Sequence, residues 1–107
     1  MLELPWPHKS LSPNWRGHWG TKSTHTKKYR KAGWALGQTV RPNPVFSIRF
    51  HPPKNNKRRN IDNAIASIKP LLDGLQDAWG IDDANFKITW PTEFSDVVKG
   101  GKVVVVF

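Results

Sequence analysis

Apolar residues recur at steps of three and four from Ile61 to Trp79: Ile61, Ile65, Ile68, Leu72, Leu75 and Trp79. That period is one buried face of a helix. Asn60 stands where an N-cap belongs and Gly80 where a C-terminal stop belongs. Pro70 lies inside the pattern, where it removes a backbone donor and crowds the carbonyl four residues back. Either a kink near 66–70 or a break into two helices answers it. The stripe keeps phase across the proline, so a kink is the expectation.

A second helix is read over 22–40, with Tyr29, Ala32, Leu36 and Val40 as its buried line. Residues 1–4 are a short apolar start that reads as a strand closed by Pro5 and Pro7. Phe46, Ile48 and Phe50 alternate with Ser47 and Arg49, a half-buried strand over 45–51. Phe86, Ile88 and Trp90 alternate with Lys87 and Thr89 as another. Gly100–Gly101 turns into a last strand at 102–107, whose four consecutive Val residues predict burial on both faces. Residues 9–20 have turn chemistry and no periodicity, so they read as a loop. The order β-α-β-α-β-β predicts a single α+β domain over 1–107, with a mixed sheet and two main helices.

Composition narrows the partner. The chain of 107 residues carries 17 Lys plus Arg against 8 Asp plus Glu, a formal charge of +9. A polyanion is the expected partner, with nucleic acid first. No cysteine is present, which excludes disulfides and thiolate metal sites. No apolar run approaches the ~18 residues of a membrane span, and the first residues lack a signal-peptide pattern. A cytoplasmic protein is expected.

Charge is also segregated. Five of the eight carboxylates, Asp62, Asp73, Asp77, Asp82 and Asp83, fall within 58–83. Lys54, Lys57, Arg58 and Arg59 stand directly before them. Acids inside a basic surround suit a metal-assisted nuclease: the surround attracts phosphate, and the acids hold a divalent cation where it arrives. Grouped Asp side chains suit Mg²⁺, with Mn²⁺ as its substitute. Asp62, Lys69 and Asp73, spaced by seven and four, form a polar stripe about 100° from the apolar one, and Asp77 continues it. Lys69 on the Asp62 face is a candidate to stabilise charge on a scissile phosphate or to help orient the attacking water. The same stripe is also what a solvated helix face looks like, and Asp82–Asp83 also reads as a polar turn. Whether Asp62 and Asp82–Asp83 meet within one chain or across a twofold axis stays open.

Two further groups are candidate DNA contacts. Asn14, Trp15, Arg16, His18 and Trp19 mix aromatic, polar and basic side chains in the early loop. Such a mixture stacks on unpaired bases and touches phosphates, or else packs its rings on the core. Lys22, Lys27, Lys28, Arg30 and Lys31 crowd the first half of the first helix as a phosphate-facing or simply solvated surface.

The chain resembles the RusA family of Holliday junction resolvases, often carried by prophages. The matching runs are LELPWP at 2–7, LSPN at 11–14, KKYR at 27–30, RRNIDN at 58–63, KPLLDGL at 69–75 and GIDDANF at 80–86. Together they cover most of the chain in the right order. The resemblance implies a Mg²⁺-dependent endodeoxyribonuclease, a homodimer that grips a four-way DNA junction and makes paired nicks. It carries the family's acidic ligands to Asp62 and Asp83, with Asp82 beside them, and its essential lysine to Lys69. Asp73 matches an acidic position of the helix. Asn60 departs from the family: it stands where the first acid of an Asp-x-Asp-Asn run is usual. An amide offers a cation one neutral oxygen and loses a full charge. The expectation is therefore a junction endonuclease silenced or weakened by Asn60. The alternative is a module that binds branched DNA without cutting. A small RNA-binding domain would explain the charge but not the acidic cluster.

Overall fold

The structure is a computed structural model and describes residues 1–55 and 60–107. Lys57, Arg58 and Arg59, read above as DNA contacts, lie outside the described residues. In chain order, β1 is Leu2–Pro5, α1 Trp19–Gly37, β2 Val45–His51, α2 Ile61–Ser67, α3 Lys69–Trp79, β3 Lys87–Thr89 and β4 Lys102–Val106. Single 3-10 turns cover Lys9–Leu11 and Asp83–Asn85.

The four strands form one mixed sheet in the order β1-β4-β2-β3. β4 is antiparallel to both β1 and β2, while β3 lies parallel to β2. The chain between β2 and β3 contains α2 and α3, so these three pieces form a β-α-β crossover, which a parallel pair requires. This is the α+β architecture with a mixed sheet and two main helices that the apolar pattern predicts.

Alternation sends Leu2 and Leu4, Phe46, Ile48 and Phe50, and Val103 and Val105 to one face. There they form a single core with Tyr29, Ile68, Leu71, Leu72, Leu75 and Trp79 from the helices. Val104 points the other way and is still only 3% exposed, between its register partners Glu3 and Arg49. The valine strand therefore finds cover on both faces within one chain, and its burial is no argument for a dimer.

Two helical expectations need correction. The 61–79 segment is two helices, with Ile68 at φ −95°, ψ 5° as the non-helical residue between them. Pro70 has no N–H to give Ala66, and the Ser67 hydroxyl donates back to the Asn63 carbonyl (2.7 Å), which loosens the turn. Ile68, Leu71, Leu72, Leu75 and Trp79 are buried, while Ile61 and Ile65 are half-buried. The apolar stripe keeps phase, and the break at Ile68 falls between Asp62 on α2 and Lys69 on α3.

The first helix starts at Trp19 rather than at 22 and ends at Gly37 rather than at 40. His18 begins it as N-cap, its Nδ1 accepting from the Gly20 N–H (2.9 Å). Its buried line is Tyr29, Gly33 and Gly37; Ala32, Leu36 and Val40 are only half-buried. The reason is close approach. A Cβ on Gly74 would lie 2.7 Å from the Trp34 nitrogen and 2.9 Å from the Gly33 Cα. Only bare backbone lets α1 and α3 approach so closely. Trp79 Nε1 donates to the Gly37 carbonyl (2.8 Å), and Tyr29 Oη donates to the Pro5 carbonyl (2.8 Å), which ties α1 to α3 and to β1.

Candidate functional site

Gly80, in the left-handed region at φ 67°, ends α3, as expected of it. The chain then turns back along α3 so that Asp83 returns to the helix start. Gln76 fixes that return, its Oε1 accepting the Asp83 N–H at 3.0 Å. Lys69, Asp73 and Gln76 lie at i, i+4 and i+7, one face of α3. Lys69 Nζ donates to Asp73 Oδ1 at 2.8 Å and also to Asp83 Oδ2. The centre of the site is therefore one ammonium between two carboxylates.

The electrostatics follow from that geometry. Hydrogen bonds to Asp73 and Asp83 push the Lys69 ammonium above the ordinary lysine range, so it stays charged at any physiological pH. The hydrogen bond from Lys69 holds the Asp83 carboxyl below the usual carboxylate range. The Lys69 side chain is 58% exposed and that of Asp83 26%, so substrate can reach both.

The other expected residues fall elsewhere. Asp62 sits in the first turn of α2 with its side chain exposed, in no ion pair among the described residues. Asn60 caps α2 as predicted, its Oδ1 accepting the Asp62 N–H at 2.8 Å. Its side chain also lines a cavity with Trp6, His8, Lys9 and Ser67. Asp82 caps the following 3-10 turn, its Oδ1 accepting the Ala84 N–H at 2.9 Å. Among the described residues, no three or more His, Cys, Asp or Glu side chains gather as a metal-holding group within the chain.

Of the candidate DNA contacts, Asn14, Arg16, Lys27 and Lys28 are exposed. Arg30 is engaged instead with Asp77: Nε to Oδ2 at 2.7 Å and Nη2 to Oδ1 at 3.0 Å. That pair draws Arg30 and Asp77 out of their expected roles, as a phosphate contact and as a continuation of the acidic stripe, into a bridge between α1 and α3. Gln76 was not expected at all; its seven-residue step from Lys69 was the available signal. Lys22 was read only as part of the basic helix face. It lines a groove with Leu11, Pro13, Thr26, Ala66, Lys69, Pro70 and Asp73, which places a second cation beside the Lys69 cluster.

Fold and site define a small α+β domain with a basic surface and an accessible lysine held between two acids. No protein-family model matches the chain. An uncharacterized protein of Xylella fastidiosa (strain Temecula1 / ATCC 700964) is 39% identical over 113 residues, an alignment that covers 97% of this chain and 72% of that protein. The chain belongs to the same family as this Xylella protein.

Proposed function

We propose that this protein is a Mg²⁺-dependent endonuclease of the RusA type that acts on four-way DNA junctions as a homodimer. The observation that carries the proposal is the Lys69 ammonium held by Asp73 and Asp83 on a chain of charge +9. The donor chemistry fits a hard cation: carboxylate oxygens already converge on one positive charge, and no thiolate is present. Asp83 and Asp62 are the carboxylates that would hold Mg²⁺ or Mn²⁺, Asp62 coming from the same chain or from the partner. When bound, the ion polarises the phosphodiester and acidifies a water. Lys69, fixed on two sides and permanently charged, offers its remaining donor capacity to the scissile phosphate, where charge grows in the transition state. Exposed Lys27, Lys28 and Arg16 supply attraction that is independent of base sequence.

A second reading has its own observation. The Asn60 oxygen is occupied by the Asp62 N–H, so the position of the usual first acid contributes a helix cap and no charge. On that reading the chain holds branched DNA without cutting it. One experiment separates the two. A synthetic four-way junction is incubated with the protein in Mg²⁺ and scored for paired nicks, and a gel shift is run in Ca²⁺ or EDTA. Nicks support the enzyme; a shift without nicks supports the binding module; the absence of both nicks and a shift would remove both readings.

A further inference from the structure

Trp19 is 77% exposed, the most exposed large hydrophobic side chain among the described residues. Burying indole normally stabilises a small domain, so an indole left in water needs a reason. The His18 ring stacks on it, with centroids 5.6 Å apart and planes at 23°. His18 is itself held, because its Nδ1 accepts the Gly20 N–H. The indole is thus braced on one face by a fixed ring.

Its place on the helix matters as much. Trp19, Lys22 and Thr26 stand at i, i+3 and i+7 of α1, one face of the helix. Lys22 and Thr26 form one wall of the groove whose other wall is Lys69, Pro70 and Asp73. Trp19 therefore stands one turn before the groove, on the face that lines it. Asp73 is already paired with Lys69, whereas Lys22 forms no ion pair among the described residues. Lys69 is shared between Asp73 and Asp83, so the ammonium that the groove offers uncommitted is that of Lys22. A flat aromatic surface beside an uncommitted lysine matches an unpaired nucleotide: a base for the ring, a phosphate for Lys22 and the remaining donor of Lys69.

We infer that Trp19 is a stacking platform for an unpaired base, and that the groove between Lys22 and Lys69 takes the phosphate attached to it. This deepens the proposed function and rests on it: the site receives strand that has left the duplex, next to the lysine that faces the scissile phosphate. In a duplex each base is stacked between its neighbours and offers the ring no free face, so the platform discriminates single strand from duplex.

The test uses the full chain with a fluorescein-labelled oligo(dT) and a blunt duplex of equal length, both followed by anisotropy at several salt concentrations, with the variants compared at the same salt. Trp19→Ala is expected to weaken oligo(dT) binding about tenfold and duplex binding less than about twofold. Trp19→Phe keeps a ring and is expected to restore most of the loss. Lys22→Ala is expected to weaken both and to lower the salt slope by about 1. Equal effects of Trp19→Ala on both DNAs, or none on oligo(dT), overturn the platform while leaving the nuclease proposal standing. If Trp19→Ala instead converts a dimer to monomer in light scattering, the ring belongs to an interface with a second copy, and the inference fails. If the unaltered protein binds neither DNA, this inference fails, while the proposed function is decided separately by the nicking and gel shift of the four-way junction.

Discussion

At the residue scale, two positions carry the proposed chemistry. Asn60 uses its amide oxygen as a helix cap, and Asp caps a helix as well as Asn does. Asn60→Asp is thus expected to leave stability within about 0.5 kcal/mol while adding the missing charge. Its single-turnover nicking rate at saturating Mg²⁺ is expected to exceed that of the unaltered chain by at least about tenfold. Equal rates would show the first acidic position to be dispensable here. Lys69→Ala is expected to lower the nicking rate far more than junction affinity, because its proposed role lies in the transition state. Comparable losses in both would make Lys69 an ordinary phosphate contact.

The same lysine gives a pH signature. The Asp83 carboxyl is depressed by Lys69, so its contribution to stability is present above the unfolded value near 4 and is lost as pH falls through the lower folded value. The Lys69 ammonium is raised by Asp73 and Asp83, so its contribution is present below about 10.4 and is lost as pH rises through the higher folded value. Between those limits Lys69→Ala is expected to cost at most about 1 kcal/mol, since an exposed pair is screened by water. Urea midpoints of the two proteins should differ at pH 7 and converge in acid. A difference that persists unchanged in acid would mean that packing of the lysine stem, not its charge, stabilises the fold.

At the element scale, the contact between α1 and α3 positions the site, because α3 carries Lys69, Asp73 and Gln76. That contact depends on Gly33 and Gly74. A methyl at Gly74 meets the Arg30 carbonyl and the Trp34 nitrogen, and backbone cannot yield as a side-chain tip does. Gly74→Ala is expected to destabilise the domain by about 2–3 kcal/mol and to lower Tm by ~10 °C or more. A circular-dichroism melt checks it; an unchanged Tm would mean that α1 and α3 can separate without loss. Helix periodicity was legible in the sequence because apolar spacing is a local property. The seam was not, because in α1 it runs through glycines, which carry no hydrophobic signal. The break at Ile68 was half legible: Pro70 announced a disruption, but its form depended on the Ser67 hydroxyl and on packing around Ile68.

At the scale of the whole molecule, charge dominates. The expected partner is nucleic acid, and its binding should depend steeply on salt. If a dimer neutralises about eight phosphates, log K should fall against log salt with a slope near −7. A slope near zero in a fluorescence titration of a four-way junction would remove the nucleic-acid proposal altogether. No described helix is long and apolar enough to cross a membrane.

The sequence by itself determined the strand and helix order, the sheet-facing residues, the Asn60 cap, the Gly80 stop and the segregation of acid from base. Each depends on neighbours a few residues apart, where period and turn chemistry act. Tertiary structure alone decided which charges meet. The path after Gly80 brings Asp83 back to Lys69, fourteen residues earlier, while Asp62, in the first turn of α2, joins no ion pair among the described residues. It also joined Arg30 to Asp77 across forty-seven residues. Such pairs form only after packing has fixed the backbones, and no local pattern encodes them.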